Sequence, residues 1–208
     1  MSTTVATEIP TGTWSIDAVH SSIGFGVKHF GVSTFRGSFS GAAGSLVTDG
    51  GEIRSIEGTV RLENLVTEEP QLTGHLHSED FFDAANHPEI TFKSTAVEKL
   101  EGDKLRISGE LTIRGVTRPV ELDAEIEGAG DDPYGNTRLG ITATGAVDRS
   151  DWGITWNAPP LANGALAVGE RVALTIHVEK FNPALRLYHR LGFQQIEDKG
   201  IYLFLEWK

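Results

Sequence analysis

Apolar and polar residues alternate with a period of two along most of this chain. Leu105, Ile107, Gly109, Leu111 and Ile113 alternate with polar partners, and so do Val120, Leu122, Ala124 and Ile126. Leu139, Ile141, Ala143, Gly145 and Val147 repeat the pattern, as do Val172, Leu174, Ile176 and Val178; Val60 with Leu62, and Ile90 with Phe92, give shorter versions. Successive strand residues point to opposite faces, so each run has one apolar and one wet face, the pattern of antiparallel sheet. Turn signals separate the runs: "EGDK", "RGVTRP", "GAGDDPYGN" and "PPLANG". Pro119 is expected at the start of its strand, where a missing N–H costs no ladder bond. The early runs are rich in glycine (Gly24, Gly26, Gly31, Gly37, Gly41 and Gly44), which permits the bends that closing a barrel requires. Roughly eight such strands close into an antiparallel barrel whose interior fits side chains or one small ligand; a two-sheet sandwich satisfies the same alternation.

One segment breaks the alternation. In "EEPQLTGHLHSEDFFDAANHP", Pro70 suits the first helical position, and Asn86 and Pro88 close the stretch. A short helix is expected over residues 71–77, then an irregular loop carrying Phe81 and Phe82, together a plug or lid for the barrel. His75 and His77 stand about 200° apart on a helix and cannot share a metal ion from one face. No further ligand follows at zinc spacing, so no metal site is expected. Glu79, Asp80 and Asp83 offer carboxylates, but acid/base tuning requires burial that nothing here signals, and Asp80 suits a turn cap. Phe81 and Phe82 are adjacent, so an extended loop would send one inward and the other elsewhere. Asp148, Arg149 and Asp151 in "VDRSDWG" suit a charge cluster closing one barrel end, and "WNAPPLANGALAVG" a connection at the barrel mouth.

Composition narrows the function. The chain has 208 residues, a formal net charge of -11 and no cysteine. That length suits one all-β domain plus an appendage. The acidic balance disfavours nucleic acid and anionic membranes, and absent cysteine removes disulfides, thiolate nucleophiles and thiolate metal ligands. The opening "MSTTVATEIP" lacks the apolar run of a signal peptide and no segment reaches transmembrane length, so a cytoplasmic protein without membrane insertion is expected.

Four motifs, "TWSIDAVHSSIGFGVKHFGVSTFRGSF", "HSEDFFDAANHPEITFKST", "GELTIRGVTRPVEL" and "AVDRSDWGI", occur in an order that resembles the YceI-like family, also called polyisoprenoid-binding proteins. The resemblance covers residues 13–179. It implies a lipocalin-like antiparallel β-barrel with an inserted helix, and an apolar tunnel for a long-chain isoprenoid or similar amphiphile. It implies no catalytic residues and no cofactor. Many members place an Arg-Asp pair where this chain has Leu72, Thr73 and Gly74. Taken with the inward-facing alternation, the resemblance implies a ligand lining of Phe25, Val27, His29, Phe39, Leu76, Phe81, Phe82, Phe92, Ile107, Leu111, Leu122 and Ile141.

The last residues read differently. "HVEKFNPALRLYHRLGFQQIEDKGIYLFLEWK" resembles the final segment of GNAT acetyltransferases, through Asn182, Ala184, Leu187, Tyr188, Gly192 and Phe193. In such enzymes the tyrosine often protonates the coenzyme A thiolate. The Gly-rich pyrophosphate loop of those enzymes has no counterpart in this chain, its nearest match, residues 71–76, carrying a leucine where a small residue must sit. The expected organisation is a flexible stretch over residues 1–11, a lipid-binding barrel over 12–180 and a helix–strand tail over 181–208, joined as a fusion or recombined chain. The tail leaves an acetyltransferase-related enzyme or an interaction module as alternatives, and its exposed strand suits docking on the barrel or on a second copy in a homodimer.

Overall fold

The protein is described by a computed structural model that places residues 9–132, 136–162, 164–181, 193–198 and 203–207. The strands are β1 (Gly12–Ile16), β2 (Ser22–His29), β3 (Ser33–Phe39), β4 (Ala43–Asp49), β5 (Glu52–Arg61) and β6 (Leu65–Val66). After helix α1 (Pro70–His77) come β7 (Glu89–Lys99), β8 (Lys104–Ile113), β9 (Val116–Asp131), β10 (Thr137–Asp148) and β11 (Val168–Phe181). Single 3-10 turns, Leu62–Asn64 and Arg149–Trp152, follow β5 and β10.

β1 through β11, helix excepted, form one antiparallel 11-stranded sheet that curls on itself in the lipocalin-like manner. Short β1 pairs with β4 on one side and with the far end of β11 on the other. Those pairings close a ring β1-β4-β5-β7-β8-β9-β10-β11 at one end of the barrel. Toward the other end β11 pairs with β2, which carries β3 and β6. There the wall is completed by β6, by the 3-10 turn after β5, and by α1.

Turn chemistry sets the register. Arg114 (φ 51°) and Gly115 (φ 72°) form the two-residue connection between β8 and β9, and Gly50 (φ 59°) with Gly51 (φ 79°) that between β4 and β5. Positive φ at both central residues is the type I′ hairpin, whose twist matches that of the flanking strands.

The core divides in two. At the ring-closed end Trp14, Leu46, Ile53, Leu105, Ile107, Leu122, Leu139 and Ile141 pack solidly. At the other end Phe39, Val60, Leu62, Leu76, Phe81, Leu111, Trp152 and Ile154 form a second cluster, which brings α1 and the loops onto the strands. Phe92 and Leu174 touch both.

Three expectations change. Pro119 lies inside β9, opposite Glu110, and not at its start. There β9 has β8 on one side only, since its pairing with β10 begins at Leu122, so proline is tolerated as on an edge strand. Ile9, expected in a flexible stretch, is buried in the ring-closed core, and Thr48 Oγ1 donates to the Pro10 carbonyl at 2.6 Å. In the tail, β12 (Phe193–Asp198) and β13 (Leu203–Trp207) pair antiparallel, two strands where one was expected. The expected tail helix, with Tyr188, falls outside the described residues.

Candidate functional site

The inward faces of the strands enclose a cavity of about 420 Å³ at the end away from the ring closure. Apolar atoms make up nearly all of its wall. β2 contributes Ile23, Phe25 and Val27; β3 contributes Phe35 and Phe39; β11 contributes Val168, Val172, Leu174 and Ile176. Each set is spaced by two or four, as inward-facing strand residues must be. Ile90, Phe92, Leu111, Ile113, Val120, Leu122 and Val147 line the opposite wall.

α1 and its loop cover this chamber. Pro70 occupies the first turn, and the Glu69 side chain accepts from the Gln71 N–H. Leu72, His75 and Leu76 reach the cavity from the helix. His77 faces away, its Nε2 lying 2.7 Å from the Leu62 carbonyl; that nitrogen therefore carries the proton and ties α1 to the end of β5. His75 Nε2 lies 3.0 Å from the Asp80 carboxylate, and its ring packs edge-on against Phe81 (4.9 Å) and Trp156 (4.7 Å). The two histidines thus serve different faces, and among the described residues no three His, Asp or Glu side chains gather to hold a metal ion. Asp80 accepts from His75 across five residues, while the Ser78 hydroxyl receives the Asp80 N–H.

Both loop phenylalanines reach the cavity, where an extended loop would turn one of them away. The loop is not extended: Phe82 N–H donates to the Leu76 carbonyl, and Asp83, at φ 50°, turns the chain. Phe81 goes to His75 and Trp156, while Phe82 meets Phe25 and Phe39, each with ring centroids 6.3 Å away. Aromatic pairs at such edge-on geometry add specificity to simple burial.

Arg149 differs from the expected charge cluster. It is buried on the cavity wall and donates to three backbone carbonyls: Nε to Gly169 (2.9 Å), Nη1 to Ile154 (2.7 Å) and Nη2 to Val168 (3.2 Å). Gly169 belongs to a bulge where the pairing of β11 with β2 shifts register, so the guanidinium satisfies a carbonyl that the ladder leaves out. Burial lowers the Arg149 pKa and the charges of Glu170 and Asp148 partly restore it; the group remains cationic. Asp148 instead accepts from the Ser150 N–H and hydroxyl, which hold its carboxyl below the usual range. Trp152, also on the wall, donates Nε1–H to the Leu111 carbonyl at 3.2 Å, anchoring the crossing loop to β8.

Of the residues expected to line the ligand, Phe25, Val27, His29, Phe39, Leu76, Phe81, Phe82, Phe92, Leu111 and Leu122 stand on the cavity wall. Ile107 and Ile141 do not. They face inward but lie in the ring-closed core, because alternation reports the face of a strand and not the height along the barrel. Ile23, Phe35, Val172 and Leu174 were legible from the same alternation; Arg149, Trp152 and Trp156 carried no such signal.

The fold is shared with known proteins. The YceI-like domain family matches residues 14–180. This chain belongs to the YceI-like family. Among YceI-like relatives, UPF0312 protein ECA1782 of Pectobacterium atrosepticum is 38% identical over 143 residues, covering 68% of this chain and 74% of that protein. Protein YceI of Salmonella arizonae is 35% identical over 162 residues, 77% and 81% of the two chains. Of solved structures, the YceI protein of Campylobacter jejuni superposes with a TM-score of 0.62 at 29% identity, over 74% of this chain and 89% of that one. BcnA of Burkholderia cenocepacia gives a TM-score of 0.68 at 19% identity, over 79% and 98%. A polyisoprenoid binding domain from Saccharophagus degradans gives 0.59 at 14%, over 82% and 98%; these last two show the shared fold. The YceI-like match ends just before the tail, and the comparisons lend its acetyltransferase-like ending no support.

Proposed function

We propose that this YceI-like protein binds a long-chain isoprenoid or similar amphiphile in the barrel cavity and carries or sequesters it without chemical change. The observation that carries this reading is the 420 Å³ chamber walled by apolar atoms. Its size falls in the range of small-molecule pockets, about 300–1,000 Å³. Its wall offers no directional recognition along most of its length, which suits a chain held by contact summed over many methylenes. Family membership supports the same reading, as does the fold shared with a polyisoprenoid binding domain. Binding belongs to the barrel, residues 12–180, and not to the tail. Native mass spectrometry tests it: protein stripped of lipid and offered a C20 prenyl alcohol regains one molecule per chain. A chain truncated after Phe181 does the same. A stripped protein that stays empty would contradict the proposal.

A further inference from the structure

Arg149 is a buried charged residue, and it stands on the wall of an otherwise apolar chamber. A guanidinium carries five N–H donors. Three are given to the carbonyls of Gly169, Ile154 and Val168, so one donor on each Nη has no acceptor among the described residues. No described carboxylate lies within ion-pair distance of it, and that of Asp148 is engaged by Ser150. A buried cation without an anion is costly, and carbonyl dipoles offset only part of that cost. The same carbonyl contacts fix the planar fork, so binding an anion there requires little further ordering.

Arg149 follows Val147 at the end of β10, level with His29 and Val168, which pair with each other. Lys28, His29 and Trp156 lie on the wall at this end. At the opposite end Phe92 and Leu174 meet the solid core. The chamber is therefore polarised, with its cationic side chains away from the end that meets the solid core.

We propose that Arg149 anchors the head of the ligand, and that the preferred amphiphile ends in a charged pair of oxygens, a carboxylate or a phosphate monoester, in place of a neutral alcohol. This rests on the cavity reading above. The two free Nη donors match two oxygens of one anion, the bidentate geometry arginine favours. The chain then runs down the apolar wall toward Phe92.

Three C20 prenyl ligands differing only in the head test the assignment: the alcohol, the carboxylic acid and the monophosphate. Titration of stripped protein, followed by tryptophan fluorescence, reads affinity. Both acids are expected to bind about tenfold or more tightly than the alcohol. Arg149→Lys keeps the charge and loses the fork, and should cut that preference severalfold; Arg149→Met should abolish it. Because either variant can fail to fold, the ratio in the unaltered chain is decisive alone. A ratio near one overturns the anchor. Loss of the preference in Lys28→Gln would assign the head to Lys28 and overturn it too. If the alcohol binds without gain for the acids, only the anchor fails; if no ligand binds, the cavity reading fails with it.

Discussion

The ring of Phe25 sits opposite Gly37, so close that a Cβ on that glycine would lie 2.5 Å from the ring. Phe25 on β2 therefore leans across the bare backbone of β3 as it enters the chamber. Phe92 does the same over Gly109 of β8, at 2.4 Å. These glycines are aromatic platforms, which sets the positions of two rings on the cavity wall.

Gly37→Ala should push the Phe25 ring off its platform into the cavity. Overpacking of this kind costs about 1–3 kcal/mol. Binding of a prenyl chain should weaken as well, since the displaced ring takes its place. Thermal unfolding and a ligand titration on the same sample check both effects. Unchanged stability and unchanged affinity together would remove the platform role.

Cavity and solid core should respond oppositely to substitution. Val120→Phe places a phenyl group into the chamber, and should reduce chain binding with little or no loss of stability. Leu139→Ala opens a hole in the ring-closed core, where Leu139 is 0% exposed, at a cost of about 3 kcal/mol. Its ligand affinity should stay within a few-fold of the parent. Urea denaturation paired with titration separates the two, and the reverse pattern would mean that the chamber lies elsewhere.

Asp17 makes stability depend on acid. Its carboxylate, with a side chain only 10% exposed, lies 2.7 Å from His20 Nδ1 and 3.2 Å from Arg138 Nη1, and accepts the Val19 N–H. Burial alone would raise its pKa. The His20 hydrogen bond, the Val19 N–H and the His20 charge outweigh burial and hold the carboxyl below its usual 3.8. A folded-state pKa below the unfolded one means that Asp17 stabilises fully above the unfolded value, and that this is lost as pH falls through the folded value. The melting temperature should therefore hold from neutrality to about pH 5 and drop below about pH 4, where carboxyls begin to protonate. Asp17→Asn should melt lower at pH 7 and show a shallower acid slope. An equal slope in both proteins would exclude this linkage.

The inward faces of the barrel strands were legible in the sequence, because period-two alternation is a backbone property that Leu105 through Ile113 display without any neighbour. So was α1, through Pro70. What alternation could not show was height: Ile107 and Leu111 share a face, yet one fills the solid core and the other lines the chamber. The side-by-side entry of Phe81 and Phe82 was not legible from spacing, because the fold of their loop depends on hydrogen bonds back to the carbonyls of α1. Arg149 was read as part of a charge cluster, since nothing local tells that its partners are carbonyls from the loop at Ile154 and from β11. Tertiary placement decided each of these.

Chain-length dependence of affinity is the property an apolar chamber dictates most directly. Stripped protein titrated with prenyl alcohols from C10 to C40 should bind more tightly with each added isoprene unit, at about 0.8 kcal/mol for every methylene fully buried, until the chain fills the chamber and affinity levels off. Affinity that is flat from the shortest chain to the longest would contradict an apolar chamber as the binding site.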